Sequence, residues 1–348
     1  CGGYLLWGLS TAAFGLVTVE NAAKLFPAAS AVAAAAVMIV VLDCVMTFFG
    51  STANDAAFNA WITDTVPNES RGKAESVLAI LPLISMLVIF GLFDAMTQRG
   101  EWQKFFAIFG GLVVVTGLVS VFLIPEPELA PRKEPYLKTL IYGLRPSVVK
   151  ENPALYLAFA AFCLFSVAVQ VFFPYLIIYM QNYLHFDGYA LVLGIVLIFA
   201  SVVSVLSGRV IDRLGQLRCV LPAAAVMFVG LIGMFFARAM AAVIAAGCVM
   251  MSGYMLITAI LSGIIRDKTP AGTAGQFQGI RMLFGVLLPM ILGPAIGAAV
   301  IRRSDSTYVD LGVVKTVPTP SIFLAAAAVL LLILPPVLAL RKREGAKC

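Results

Sequence analysis

The sequence predicts an all-α polytopic membrane protein, and three observations lead there. The 348 residues are 61% hydrophobic and only 12% charged, with a mean hydropathy of +1.00. Soluble domains sit near half apolar and a quarter charged. Ten stretches reach the roughly 20 mostly apolar residues that a helix needs to cross a bilayer. The short alternating strands of an outer-membrane barrel are absent.

The ten stretches, A to J, are 3–19, 30–62, 75–96, 105–124, 153–183, 189–207, 219–237, 241–264, 276–301 and 321–340. Segment A enters apolar sequence at once, without the basic flank and small-residue cleavage site of a signal peptide. Segment B places Asp43, Asn54, Asp55 and Asn59 among Ala, Val, Phe and Met. Gly50, Pro82, Pro174, Pro289 and Pro294 interrupt segments B, C, E and I. Membrane helices tolerate such breaks where neighbours re-satisfy the freed backbone. Between D and E runs the longest loop, "PEPELAPRKEPYLKTLIYGLRPSVVKENP". The expected organisation is a four-helix N-terminal bundle (1–124), a central loop (125–151), a six-helix C-terminal bundle (152–341) and a basic tail (342–348).

The net charge of +6 lies in short loops between apolar runs, which is the pattern of orientation rather than of nucleic-acid binding. One set of loops with the C-terminal tail carries sixteen Lys and Arg, and the opposite set carries seven. The positive-inside rule puts the richer set, both visible ends and the central loop in the cytoplasm, with the chain in the cell membrane. Six scattered cysteines form no CxxC, so neither a disulfide framework nor a zinc site is expected. His185, the single histidine, reads as a turn residue rather than a metal ligand or base. No HExxH or GxSxG is present, and no enzyme is expected.

The loop after B, "TDTVPNESRGKAESV", and the loop after H, "RDKTPAGTAGQFQGI", align Asp64 with Asp267, Pro67 with Pro270 and Gly72 with Gly275 at one offset. That spacing predicts an internal repeat in which A matches G and B matches H. Two spans preceding A are then expected as counterparts of E and F.

After segment F comes "SGRVIDRLGQLR", in which Gly208, Asp212, Arg213, Gly215 and Arg218 fit G-x-x-x-D-R-x-G-x-x-R. This resembles the loop signature of the major facilitator superfamily. The resemblance implies a twelve-helix bundle of which ten helices are present, with this copy between the eighth and ninth. It also implies a cytoplasmic gate: Asp212 bracing the start of a neighbouring helix, and Arg213 pairing with Asp267. Asp64 and Arg71 would serve the corresponding loop after B. Small turn residues, a carboxylate at a helix N-terminus and a bidentate Arg–carboxylate pair suit that role chemically.

The same resemblance makes B, E and H cavity-lining helices, with substrate and coupling ion near the bilayer midplane. At about 100° per residue, Asp43, Thr47, Gly50 and Asn54 of segment B share one arc, which Ser51, Asp55 and Asn59 extend. An intramembrane carboxylate is costly and so marks function. The string "NDAAFNAWITDTVPNESR" resembles the fourth helix of the glycoside–pentoside–hexuronide:cation symporters. Asp55 stands where that group carries its cation-binding acid, and Ala57 stands where it carries proline. The resemblance implies that Asp55 holds a coupling H⁺ or Na⁺, with Asp43 in reserve. Segment E adds Gln170 and Tyr175 beside Pro174, and segment H adds Tyr254, as polar groups suited to hydroxyl-rich solutes.

The expected function is secondary active transport of a small polar solute such as a sugar or glycoside, by symport with H⁺ or Na⁺. Proton-coupled efflux of a drug or metabolite is the alternative. Apart from the coupling ion, no cofactor or metal is expected. The expected partners are the bilayer and a small solute, not nucleic acid, and the chain is expected to act as a monomer.

Overall fold

The computed structural model describes residues 2–27, 30–58, 61, 81, 84–85, 88–123, 142–186, 188–270, 274–310 and 313–345. The chain divides into two units, Cys1–Arg132 and Lys133–Cys348.

In the first unit, α1 (Gly2–Phe14) is followed by a turn and α2 (Val19–Leu25). Helix α3 (Ala31–Gly50) runs on as a π-helical segment, Ser51–Phe58, and α4 spans Trp102–Leu123. Segment A is therefore not one straight span, because α1 and α2 meet at 98°. The break is locally encoded: the Thr18 hydroxyl accepts the Asn21 N–H at 3.1 Å and caps α2, satisfying a donor that a helix start leaves open. Glu20 in the first turn of α2 and Lys24 in its last suit the helix dipole and pair at 2.8 Å. Segment C is described in part, at 81, 84–85 and 88–96, where a π-helical turn Ile89–Phe93 leads into a short helix Asp94–Gln98.

Helices α1 and α4 approach through glycine. A Cβ on Gly8 would sit 2.7 Å from the Gly110 oxygen, and one on Gly110 would sit 2.6 Å from the Gly8 oxygen. Gly117 faces Tyr4 and Leu5 in the same way. The opposite side of α4 exposes Leu112, Val115, Val119 and Phe122. Glycines facing protein and bulky apolar side chains facing out is the distribution that lipid imposes, since helices there associate by close packing.

The second unit contains α5 (Pro153–Phe172), α6 (Tyr189–Leu214), α7 (Gln216–Phe236) and α8 (Met240–Lys268). These are followed by α9 (Ala274–Met282), α10 (Leu288–Ile301), α11 (Ser321–Leu331) and α12 (Leu334–Gly345). Pro174 does break segment E. Helix α5 passes through a 3₁₀ turn at Phe173–Tyr175 and ends in a π turn at Tyr179–Tyr183. His185 follows with φ 55°, a left-handed conformation that histidine adopts more readily than most residues.

Helices α7 and α8 are antiparallel neighbours in close backbone contact. A Cβ on Gly230 would lie 2.3 Å from the Met250 nitrogen, and one on Gly253 would lie 2.4 Å from the Met227 nitrogen. Gly253 precedes Asp267 by fourteen residues, as Gly50 precedes Asp64. Gly50 receives the Trp7 indole of α1, and Gly253 receives Met227 of α7. In each unit the helix of segment B or H thus meets the helix of segment A or G at a glycine, through a side chain at Gly50 and through backbone at Gly253.

Between α10 and α11 lies an element that the sequence reading missed. It is an antiparallel hairpin of β1 (Thr307–Asp310) and β2 (Val313–Thr316), pairing Tyr308 with Lys315 and Val309 with Val314. Its signal was present in "TYVDLGVVKT", with β-branched residues on either side of a turn-forming Asp and Gly. Among the described residues, eight helices are long and apolar enough to cross a membrane, or nine with the bent α1–α2 pair as one span. They correspond to segments B, D, E, F, G, H, I and J, with A as the bent pair.

Candidate functional site

In the first unit the site is built on the join between α3 and its π-helical continuation. A π turn bonds residue i to i+5 and advances fewer degrees per residue than an α turn. Residues after Gly50 therefore depart from the arc that a uniform helix would give. Asp43 and Thr47 are exposed, Gly50 and Ala53 are buried, and Asn54 and Asp55 are half-buried. The single polar stripe expected on segment B is split into two environments. Asp43 and Asp55 are also separated by on the order of 15 Å of helix rise, so they do not share one site.

Asn54 and Asp55 belong to a short polar chain. The Tyr4 hydroxyl donates to Asn54 Oδ1 at 3.2 Å, and Asn54 Nδ2 donates to Asp55 Oδ1 at 3.3 Å. Tyr4 lies beside Trp7, with ring centroids 5.8 Å apart, and Trp7 covers Gly50. The two aromatics come from α1, one turn apart, and bring a hydroxyl to the amide that holds the carboxylate. Sequence reasoning missed Tyr4 and Trp7. Their i, i+3 spacing on segment A was the available signal, but nothing in the sequence pointed that face at Asn54. Asn59, Asp64 and Arg71 lie outside the described residues.

In the second unit, Gln170 and Tyr175 are brought to α10. A Cβ on Gly293 would lie 2.3 Å from the Gln170 Cβ, and one on Gly297 would lie 2.5 Å from the Tyr175 ring. The Tyr175 hydroxyl donates to the Pro294 carbonyl at 2.9 Å. Both residues thus take part in a helix contact, and Tyr175 has its hydroxyl proton engaged there. Tyr254 stacks on Phe165, centroids 5.7 Å apart, and its own carbonyl accepts the Thr258 hydroxyl at 2.8 Å.

The signature residues form the α6–α7 hairpin. Gly215 alone separates the two helices, at φ 87° and ψ 134°, a conformation that costs any residue with a Cβ. Gly208 has open space where a Cβ would stand. Asp212 lies in the last turn of α6, its side chain outside the described residues, and Arg213 is exposed. The expected Arg213–Asp267 pair is not among the ion pairs of the described residues. Gln216 Nε2 instead donates to Asp267 Oδ2 at 3.2 Å. The reason is steric: Gln216, the first residue of α7, lies across Gly263 of α8, where an added Cβ would meet its Oε1 at 2.8 Å. Its amide therefore reaches the end of α8.

Pro222 sits inside α7 and has no N–H for the carbonyl four residues earlier, that of Arg218. Arg341 of α12 supplies the missing donor at 2.9 Å and also donates twice to the Leu217 carbonyl at 3.2 Å.

The motif and the spans point to one family, and comparison with known proteins agrees. The sequence profile described as Major Facilitator Superfamily matches residues 1–294. The chain belongs to the major facilitator superfamily. That superfamily comprises transporters rather than enzymes, and its membership makes this a multi-pass membrane protein. The chain is 30% identical over 183 residues to the Multidrug transporter QDR2 of Candida glabrata, across 49% of this chain and 31% of that protein. The match therefore spans about a third of that relative's length.

Proposed function

We propose that this major facilitator protein is a cation-coupled secondary transporter in which Asp55 carries the coupling ion. The observation that carries the reading is the Tyr4–Asn54–Asp55 chain at the π-helical segment of a membrane span. A carboxylate inside a span is expensive when charged. Binding H⁺ or Na⁺ removes that charge, and the Asn54 amide is placed to donate to whichever oxygen stays free. Occupancy then biases the protein between inward- and outward-facing states, because the two states solvate Asp55 differently.

For cargo, the relation to a protein named as a multidrug transporter favours proton-coupled export of organic solutes. Symport of a sugar or glycoside rests on the string around Asp55 that resembles the glycoside–pentoside–hexuronide:cation symporters. The direction of ion-driven flux separates the two. In proteoliposomes with an imposed pH or Na⁺ gradient, export predicts solute moving against the proton flow, and symport predicts solute moving with the ion. Flux indifferent to both gradients would contradict cation coupling. The protein would reside in the cell membrane with both visible ends cytoplasmic, an orientation that rests on the charge asymmetry of its loops.

A further inference from the structure

We infer that the end of the second unit opposite the signature hairpin binds an oxyanion, a phosphate-type group carried either by a lipid headgroup or by a free solute. A recess of about 410 Å³ opens there, lined by Tyr183, Arg238, Arg303, Thr319 and Ser321 among others, and no carboxylate lines it. Four separate elements deliver these residues. Tyr183 ends the span that begins with α5, Arg238 follows α7, Arg303 follows α10, and Ser321 opens α11.

Arg238 is held in advance. Its Nη1 donates to the Phe235 and Ala237 carbonyls at 2.7 and 2.9 Å, and its guanidinium lies 5.7 Å from the Tyr183 ring centroid. That leaves Nε and Nη2 as donors. The Arg303 side chain forms neither a hydrogen bond nor an ion pair among the described residues, and it faces the same recess. Arginine suits such a role because its planar donors match phosphate and carboxylate oxygens in pairs. The eleven-residue α11 begins at Ser321, and the partial positive charge of its N-terminus adds to the two guanidinium groups. Thr319 and Ser321 add hydroxyl donors at the rim.

Tyr183 is itself backed by a second tyrosine, which does not line the recess. Tyr179 is wholly buried and stacks on Tyr183 at 5.2 Å, yet its hydroxyl has no hydrogen-bond partner. A buried unpaired hydroxyl is uncommon and calls for an occupant or a water. Arginines at span ends often do no more than reach for water. Two of them converging on one concave, carboxylate-free site, one already fixed by backbone carbonyls and an aromatic ring, is a different arrangement.

The test uses the full chain in detergent. Thermal unfolding is followed against inorganic phosphate, with chloride at matched ionic strength as control. Lipid retention is measured in parallel by native mass spectrometry with phosphatidylglycerol or with diacylglycerol, which has the same acyl chains and no phosphate. Arg303→Gln is the informative variant, because Arg238 also caps α7 and its loss could disturb the helix. Phosphate stabilisation beyond chloride, or retention of phosphatidylglycerol over diacylglycerol, supports the site. The first result assigns a free solute and the second a headgroup. In either case Arg303→Gln should weaken binding about ten-fold, and Arg303→Lys should recover part of it. Equal behaviour of phosphate and chloride with equal retention of both lipids would overturn the inference. So would binding that Arg303→Gln leaves unchanged in a variant that still elutes as folded protein.

Discussion

The guanidinium of Arg341 donates to the carbonyl of Arg218 at 2.9 Å, the carbonyl that Pro222 leaves without a helical donor. The last residue of the signature motif is thereby tied to the C-terminal helix. Arg341→Ala should cost about 1 kcal/mol, the scale of one net hydrogen bond at a partly exposed site. Pro222→Ala restores an N–H at position 222 and should make the Arg341→Ala change smaller. A double-mutant cycle on thermal or denaturant unfolding measures this coupling. Additive effects would mean that the two residues act separately.

Gly110 and Gly111 are neighbours on α4 with opposite surroundings. A Cβ on Gly110 would lie 2.6 Å from the Ala12 nitrogen and the Gly8 oxygen, whereas one on Gly111 would meet nothing within 4 Å. Gly110→Ala should destabilise by about 1–3 kcal/mol by forcing α1 and α4 apart. Gly111→Ala should be neutral or stabilising by up to about 1 kcal/mol, since alanine is the better helix former. Unfolding in detergent, measured for the two variants side by side, checks the contrast.

At the start of α4, Lys104 Nζ lies 2.9 Å from Glu101 and holds its carboxyl below the ordinary value of 4.5. A depressed folded-state pKa contributes stability above the unfolded value, and that contribution disappears as pH falls through the folded one. Lys104 is exposed and Glu101 partly so, and solvent screening keeps the effect small. Wild type and Lys104→Met should therefore differ slightly in melting temperature at pH 7, and the difference should shrink as pH falls below about 4.5 and vanish once pH is below the lowered folded-state value. A difference that persists in acid would point to packing by the lysine stem instead.

Most spans could be placed from the sequence because a bilayer demands long apolar runs, and eight of the ten stretches coincide with described helical spans long and apolar enough to cross one. The bend in segment A was written locally, in Thr18 and its dipole-matched partners, but apolar length alone hid it. The β1–β2 hairpin was hidden in the same way, because its strands of four residues each are far too short to show as apolar runs. Segment B shows a deeper limit. Periodicity at 100° assumes an unbroken α-helix, and the π-helical segment after Gly50 moved Asn54 and Asp55 off the expected arc. Tyr4 could not be found as their partner, because the contact depends on how α1 packs against α3 through Gly3, Trp7 and Gly50. The Arg213–Asp267 expectation failed for a comparable reason: an interposed Gln216 is visible in sequence, but its position across Gly263 is not.

The most direct test of the account is ion-driven flux by the full chain in proteoliposomes, wild type beside Asp55→Asn, Asn54→Ala and Tyr4→Phe. Asp55→Asn should abolish accumulation driven by the coupling-ion gradient while the protein stays folded. Asn54→Ala and Tyr4→Phe should shift its ion dependence without removing it. Gradient-driven accumulation at the wild-type level in Asp55→Asn would contradict the assignment of Asp55 as the coupling carboxylate.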